Sequence, residues 1–336
     1  MTDTCVLGAD VGGTHTKIAL ARVDNGGPQF IWQARYSSRD YATLEAVVGT
    51  FLAERDVRPH AACIVSACFA VAGPVELGRA QLTNLTWRID EAQLGRHFGF
   101  ARVCVLNDFA AAGLGIELLE EKDLLTLQPG VPVERAQRVV LGAGTGLGVG
   151  ILSWADGRYK VHASEAGHCD FAPVDPLQDD LLAHLRRVLG RVSYERVVSG
   201  PGLPRILDFL TGTGAGAPGA ALVEALALRD PAEVISEFAL GTQDPLAERA
   251  LDLFVSAYGA FAGNMALVAL ARGGVFVAGG IAPKIATKLA DGTFMRAFTA
   301  KGRFQELLET IPVKVVMNEH VGLYGALAEA TRISGS

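Results

Sequence analysis

Short apolar runs alternate with amphipathic segments along the 336-residue chain. Three apolar runs, Thr4–Val11, Thr16–Val23 and Gln29–Tyr36, open the chain with short polar or glycine-rich breaks between them, which predicts an antiparallel meander. Val139–Gly150 and Arg158–Ala163 repeat this pattern of strand, glycine turn and strand. The repetition predicts an internal duplication, with one glycine-turned hairpin in each half of the chain.

Elsewhere the spacing of apolar positions distinguishes helices from buried strands. Apolar residues three and four positions apart predict a helix over Tyr41–Arg55. Continuous apolar runs predict strands that are covered on both faces. These runs are Ala61–Val71, Arg102–Leu106, Gly274–Ala278 and Val313–Met317. Further helices are predicted over 90–98, 110–116, 177–190, 193–198, 201–211, 231–239, 245–271 and 321–333, and from Pro283 onward. The segments around 128–135 and 211–221 are predicted as loops.

This alternation of strands and helices predicts an α/β fold. A chain of this length is too long to fold around one small hydrophobic core. The length therefore indicates two lobes, each with its own hydrophobic core. No linker is long or polar enough to suggest independent domains. In such an architecture the cleft between the lobes is the expected ligand site.

One segment has the length of a membrane span. Leu253–Ala271 contains 19 residues without a charge, and about 20 apolar residues can cross a bilayer. It is rich in alanine and glycine, contains Asn264, and follows an amphipathic turn. A helix buried in the protein explains it better, so no membrane association is expected.

Composition narrows the class of protein. Half of the residues are hydrophobic and a fifth are charged, and the formal net charge is −6. The acidic balance argues against nucleic acid or an anionic membrane as the main partner. The five cysteines form no C-x-x-C pair. This spacing predicts reduced thiols. The N-terminal residues lack the basic region of a signal peptide, which together with the reduced thiols predicts a cytoplasmic location.

Glycine-rich turns are the first candidates for chemistry. Gly142, Gly144, Gly146 and Gly148 occupy every second position, and glycine lets backbone N–H groups approach a phosphate. The chain has no Walker-type motif, and the spacing does not fit a dinucleotide fingerprint. Asp10–Thr14 and Gly279-Gly280 are two further glycine sites. Together the three sites predict nucleotide binding.

Asp10 has two interpretations. It could reach a phosphate-bound Mg²⁺ through water, or it could hydrogen-bond its own turn. No other protein ligand for a metal is expected.

Asn107 and Asp108 follow a predicted buried strand directly, where α/β folds place their ligands. Asp108 suits a general base that takes a proton from an attacking hydroxyl. Because a helix starts here, capping is the simpler role and could hold for one of the two residues.

Polar residues also cluster later in the chain. Glu165 and His168 are three positions apart, and Glu195 follows after a helix. Cys169 adds a possible metal ligand but no fourth appears, so structural zinc is not expected. Without a metal, carboxylate and imidazole groups can hydrogen-bond to hydroxyl groups, so this cluster fits a neutral polyol as its ligand. Alternatively, His168 and Asp170 only brace a turn.

Seven segments carry a resemblance to the bacterial glucokinase family, within the sugar-kinase, hexokinase and actin-like ATPase (ribonuclease H-like) fold. They occur in the family's order and span nearly the whole chain. The segments are ADVGGT (9–14), TNLTW (83–87), LNDF (106–109), GAGTGLG (142–148), SEAGHCDFAP (164–173), YERVVSGPGL (194–203) and VFVAGGIAP (275–283). The resemblance implies a two-lobed protein with its active site in the interlobe cleft, with lobes 1–118 plus 319–336 and 119–318.

The resemblance also implies the reaction and its residues. The expected activity is the transfer of phosphate from ATP, as its Mg²⁺ complex, to the 6-hydroxyl of glucose. Asp108 is implied as the catalytic base, and Asn84, Asn107, Asp108, Glu165, His168 and Glu195 as the sugar-binding residues. The implied ATP-binding residues are Ala9, Asp10, Val11, Gly12, Gly13, Thr14, Gly144, Thr145, Gly279 and Gly280. A homodimer is implied by the family alone.

Two positions depart from the family pattern. Ser164 and Ala166 flank Glu165 where the family usually has glycine, and His15 stands where it commonly has asparagine. Neither change removes a catalytic group. Rival hypotheses are a kinase of another hexose, the use of another phosphoryl donor, and a sugar sensor without turnover. The retained Asp108 argues against the sensor.

Overall fold

A computed structural model describes residues 4–24, 27–82, 85–214 and 216–335. The chain divides into two compact units, Met1–Glu120 with His320–Ser336 and Glu121–Glu319.

Both units combine β-sheets with helices. The strands of the first unit are β1 (Cys5–Val11), β2 (His15–Asp24), β3 (Gly27–Ser37), β4 (Ile64–Val71), β5 (Val75–Glu76), β6 (Arg79–Gln81), β7 (Arg88–Asp90) and β8 (Arg102–Asn107). Those of the second are β9 (Leu124–Gln128), β10 (Arg138–Ala143), β11 (Leu147–Ala155), β12 (Arg158–Ser164), β13 (Gly274–Ala278) and β14 (Val313–Val316).

The helices are distributed unevenly. The first unit has α1 (Leu44–Ala53), α2 (Glu91–Phe98) and α3 (Asp108–Gly115). The second has α4 (Pro176–Leu189), α5 (Tyr194–Val197), α6 (Gly202–Gly212), α7 (Ala220–Leu226), α8 (Pro231–Leu240), α9 (Pro245–Ala269), α10 (Ala286–Leu289), α11 (Thr293–Thr299) and α12 (Gln305–Glu309). The final helix, α13 (Val321–Ser334), belongs to the first unit.

The main sheets of the two units share one plan. In the first, the order is β3-β2-β1-β4-β8, with β1 to β3 antiparallel and β1, β4 and β8 parallel. In the second, the order is β12-β11-β10-β13-β14-β9, with β10 to β12 antiparallel and β10, β13 and β14 parallel. The α/β class and the two glycine-turned hairpins are confirmed.

Several predicted boundaries were wrong. β9 lies just before a predicted loop and had not been identified; it pairs antiparallel with β14 at the sheet edge. The short strands β5, β6 and β7 form a separate small sheet. A 3-10 helix over Arg58–Cys63 delays the start of β4. The predicted 211–221 loop contains the end of α6 and the start of α7, and Ala215 is outside the described residues.

Close helix packing fixes the position of α3. A Cβ on Gly115 would lie 1.9 Å from the Val321 carbonyl oxygen, and one on Gly325 would lie 1.7 Å from that of Ala111. Only glycine permits so close an approach of two backbones. Below α13, the buried Ser66 hydroxyl donates a hydrogen bond of 2.7 Å to the Ala330 carbonyl. α13 is therefore held against both α3 and the sheet.

The apolar segment noted in the sequence is a core helix. α9 is long and apolar enough to span a membrane, but 72% of its most apolar 18-residue window is buried within the protein. It packs in the core of the second unit, where Phe254, Tyr258 and Phe261 are fully buried. Its hydrophobicity is therefore explained by internal packing.

Candidate active site

The candidate residues of the first unit share one edge of its sheet. In the strand register, Val11 of β1 pairs with Val71 of β4, and Val71 pairs with Asn107 of β8. Because these strands are parallel, their carboxyl ends meet at the same edge. The Asp10–Thr14 turn and the Asn107-Asp108 pair therefore lie on that edge, where α/β proteins bind ligands.

Asn107 is the residue that caps helix α3. Its side-chain oxygen accepts hydrogen bonds from the backbone N–H groups of Phe109 and Ala110, at 3.0 and 3.2 Å. Its amide nitrogen donates to the Gly73 carbonyl at 3.0 Å. Since that nitrogen carries two protons, one N–H donor is left for a ligand. The capping role predicted for one of the pair therefore belongs to Asn107.

Asp108 occupies the first position of α3 and is half-buried. One carboxylate oxygen accepts a hydrogen bond of 2.9 Å from the Phe109 backbone N–H. The helix N-terminus favours a negative charge at this position. The position therefore stabilises an ionised carboxylate, the form that a general base requires.

The turn after β1 is held by one backbone hydrogen bond and one from a serine side chain. The Gly12 N–H donates to the His15 carbonyl at 3.0 Å, and the Ser38 hydroxyl donates to the Gly12 carbonyl at 2.8 Å. Beside this turn, desolvation raises the pKa of the Asp10 carboxyl above its ordinary value, and the Lys17 ammonium opposes that shift. A desolvated carboxylate beside a glycine turn fits a place near a cation on a phosphate.

The raised pKa gives a stability prediction for Asp10→Asn. A carboxyl with a higher pKa in the folded chain destabilises the fold once it is ionised in both states. The penalty is complete above the folded-state pKa and is absent below the unfolded value near 3.8. Asp10→Asn should therefore raise Tm at pH 7 by about 2 °C, and the gain should vanish near pH 3.5. Calorimetry at both pH values tests this, with the exposed Asp40→Asn as control; an unchanged or lower Tm at pH 7 contradicts it.

In the second unit, two glycine turns lie side by side at the carboxyl ends of β10 and β13. A Cβ on Gly279 would lie 2.6 Å from the Ala143 carbonyl oxygen, and one on Gly142 would lie 2.5 Å from that of Ala278. By contrast, a Cβ on Gly144 or Gly280 would meet nothing within 4 Å. The structure thus brings together the four ATP-binding candidates of this unit, which are Gly144, Thr145, Gly279 and Gly280.

Glu165, His168 and Glu195 also come together in the second unit. The His168 Nε2 atom lies 4.0 Å from a Glu165 oxygen and 3.9 Å from Glu195 Oε1. Both separations exceed hydrogen-bond length, so the three side chains do not satisfy one another. Their exposed fractions are 69% for Glu165, 55% for His168 and 25% for Glu195. The cluster therefore keeps donors and acceptors for a polar ligand.

Glu195 joins this cluster to the glycine turn of β10 and β11. Its Oε2 atom accepts a hydrogen bond of 3.0 Å from the Leu147 backbone N–H. A Cβ on Gly146 would lie 2.5 Å from the same oxygen. Sequence reasoning missed this contact because 49 positions separate Gly146 from Glu195. The alternating glycines were the only local signal of a close neighbour.

The two departures from the family pattern have local partners. His15 Nδ1 lies 3.1 Å from an Arg35 guanidinium nitrogen. The Ser164 hydroxyl accepts a hydrogen bond of 3.2 Å from the Ala166 N–H, at the start of the turn that carries His168. Asn84 lies outside the described residues. Within the described ranges, no three His, Cys, Asp or Glu side chains are grouped so that they could hold a metal ion.

Comparison with known proteins gives one consistent result. Residues 7–333 match the family model described as glucokinase. A glucokinase of Nostoc sp. is 41% identical over 344 aligned residues, which cover 98% of this chain and 100% of that protein. The crystal structure of a glucokinase from an Antarctic psychrotroph is similar with a TM-score of 0.84 at 30% identity, covering 98% and 99% of the two chains. A ROK family glucokinase from Streptomyces griseus, solved with glucose and AMPPNP, shares the fold with a TM-score of 0.63 at 22% identity, covering 98% and 99%.

Proposed function

The chain belongs to the glucokinase family, and we propose that Asp108 is the general base of its reaction. The activity is ATP-dependent phosphorylation of glucose. The observation that carries the assignment of Asp108 is its position at the carboxyl end of β8, on the sheet edge that also holds the glycine turn of Asp10–Thr14. A base and a phosphate-binding turn on one edge suit proton removal next to phosphoryl transfer.

The proposed reaction proceeds by direct transfer to the sugar. Asp108 takes the proton of the glucose 6-hydroxyl, and that oxygen attacks the γ-phosphorus as its bond to the β-phosphate oxygen breaks. The products are glucose 6-phosphate and ADP. Backbone N–H groups of the glycine turns would contact the phosphates, and the Mg²⁺ that accompanies ATP would reduce their negative charge. Asp10 would approach that Mg²⁺ through water.

The proposed sugar-binding residues supply several polar groups. Asn107 supplies its remaining N–H donor, and Glu165, His168 and Glu195 supply carboxylate and imidazole groups that do not satisfy one another. Asn84 completes the proposed set. A sugar lacking one hydroxyl would leave a polar group of this set unpaired, which is the physical basis of selectivity.

For Glu165→Gln we expect KM for glucose to rise about tenfold, with a smaller change in kcat. Glutamine keeps the size of the side chain but loses the charge that strengthens a hydrogen bond to a sugar hydroxyl. Steady-state assays over a range of glucose concentrations measure both constants. Asp170→Asn, at an exposed carboxylate that is paired with Arg191, is the control. An unchanged KM in Glu165→Gln would remove Glu165 from the sugar-binding set.

A coupled assay with a panel of sugars and phosphoryl donors tests the proposed substrates. Glucose with MgATP should give the highest kcat/KM, above mannose, fructose and any reaction with polyphosphate. A higher value for another pair would reassign the substrate while leaving the family membership intact.

The assembly and location of the protein are also proposed. A homodimer is supported by the family resemblance, and light scattering of the purified chain tests it. A cytoplasmic location is supported by the cysteines, which are all free thiols in the structure, because disulfides are rare in that compartment.

A further inference from the structure

Two cysteines of the first unit face each other across neighbouring strands. Cys68 of β4 and Cys104 of β8 are register partners in a parallel pair. Register partners point to the same side of a sheet. Both pack against the small-residue cluster beneath α13, which includes Ala70, Ala111 and Ala326. Adjacent strands lie about 4.8 Å apart, within the range of about 4.4–6.8 Å that a disulfide requires between Cα atoms.

The two thiols differ in access to solvent. Cys68 is fully buried, whereas Cys104 is half-buried. Cys104 also lines an open groove of about 880 Å³ between α2, β8 and the end of α13. A small reagent can therefore reach Cys104 through the groove but cannot reach Cys68 directly.

The groove is mainly cationic. Its charged lining consists of Arg96, Arg102 and Arg332 with a single acid, Glu91. Arg332 is paired with Glu329 at 2.6 and 2.7 Å, and Arg102 donates to the carbonyls of Ile333 and Ser334. Partial exposure is typical of reactive cysteines, although at the Cys104 sulfur itself the acids Glu329 and Glu91 outweigh Arg332.

The hydrogen bond between the thiols sets their protonation. The Cys68 S–H group donates to the Cys104 sulfur, which lowers the pKa of Cys104. Burial, Glu329 and Glu91 oppose this shift, and Arg332 supports it. Burial raises the pKa of Cys68. Cys104 is therefore the group that ionises first, with a protonated thiol beside it.

We propose that Cys104 is a site of oxidation by small hydroperoxides and that Cys68 is its resolving cysteine. The Cys104 thiolate attacks a peroxide oxygen, so that the O–O bond breaks and the sulfur becomes sulfenic acid with loss of hydroxide or alkoxide. The Cys68 sulfur then displaces the hydroxyl group, and water leaves as the disulfide forms. The sulfurs lose two electrons in total, and the peroxide gains them. A dithiol reductant reverses the modification.

The cross-link would affect catalysis through β8. The Cα atoms lie within disulfide range, but a disulfide brings the two Cβ atoms to about 3.8 Å, about 1 Å less than the spacing of adjacent strands, so β8 must shift toward β4. Asn107 and Asp108 follow Cys104 by only three and four residues, and a displacement of about 1 Å at a catalytic group can lower the rate about 100-fold. We expect kcat to fall at least tenfold. This consequence depends on the proposed role of Asp108, whereas the chemistry of the thiols does not.

Peptide mapping after peroxide treatment tests the site. The full chain is treated with hydrogen peroxide, its remaining thiols are alkylated, and the digest is analysed by mass spectrometry. A linked Cys68–Cys104 peptide should appear, with Cys104 losing its free thiol about ten times faster than the half-buried Cys63. In Cys68→Ser, whose hydroxyl can still donate to the Cys104 sulfur but cannot form a disulfide, dimedone should trap sulfenic acid at Cys104. Reduced Cys104 after treatment, or oxidation without a link to Cys68, would overturn the proposal.

Kinetics in a Cys169→Ser background test the consequence, because Cys169 is exposed and adjacent to His168. Peroxide should lower kcat, and dithiothreitol should restore it. Cys104→Ala should abolish the sensitivity, whereas Cys63→Ala should retain it. Disulfide formation with unchanged kcat would refute the link to catalysis and leave the oxidation site in place.

Discussion

Replacing Asp108 with asparagine is expected to lower kcat about 1,000-fold, because the glucose hydroxyl loses its proton acceptor. Asparagine retains an oxygen that can accept the hydrogen bond from the Phe109 N–H, so α3 should keep its first turn. KM for glucose should change less than about threefold, since the other sugar-binding residues are retained and the asparagine oxygen can still accept a hydrogen bond from the sugar. A coupled assay over a range of glucose concentrations measures both constants.

The melting temperature distinguishes loss of the fold from loss of the catalytic base as the cause of a lower kcat. If the variant had lost its fold, its Tm would fall along with kcat. We expect Tm within about 2 °C of the wild-type value. Near-normal turnover in a folded Asp108→Asn variant would show that another group accepts the proton.

The second large effect is expected for Gly146→Ala, which should raise KM for glucose about 10- to 100-fold. The new Cβ would lie 2.5 Å from Glu195 Oε2, so the carboxylate must move and lose its bond to the Leu147 N–H. Gly146 does not have a positive φ, and the close neighbour is the end of a flexible side chain. The variant should therefore fold. The loss of glucose binding should correspond to one charged hydrogen bond, about 1.5–3 kcal/mol.

Gly144→Ala provides the matched contrast in the same turn. A Cβ at Gly144 meets nothing within 4 Å, so Glu195 should stay in place and KM for ATP should change instead of KM for glucose. Gly146→Ala and Glu195→Gln should be strongly non-additive because they disturb one contact. Gly146 would not position Glu195 if Gly146→Ala raised KM for ATP as much as KM for glucose. Additive losses in Gly146→Ala and Glu195→Gln would contradict that role as well.

The sequence was informative where a pattern is local and repeated. The two hairpins, the parallel strands after them and the buried α9 follow from apolar periodicity and glycine spacing, which act over a few residues. The short strands β5 to β7 and the edge strand β9 were missed. Each contains only two to five residues, which is too short for a period to emerge. β9 also depends on β14, which is distant in the chain, whereas β5, β6 and β7 pair with near neighbours.

Prediction of the candidate site was likewise successful for local signals and unsuccessful for contacts that the fold creates. Residue types and the resemblance identified Asn107, Asp108, Glu165, His168 and Glu195 as candidates. The structure adds that Asn107 uses its oxygen as a helix cap and that Glu195 already binds the glycine turn. The cap is a local contact that the sequence predicted for one of the two residues Asn107 and Asp108. The contact of Glu195 with Leu147 joins residues that are distant in the chain, so no local pattern could predict it.

Asp108 is proposed to accelerate proton removal while other residues hold the sugar. Calorimetric titration of glucose into the Asp108→Asn variant tests this most directly, because binding is measured without turnover. We expect a Kd within about threefold of the wild-type value. A Kd weaker by about 100-fold or more would contradict it, since Asp108 would then contribute mainly to holding glucose.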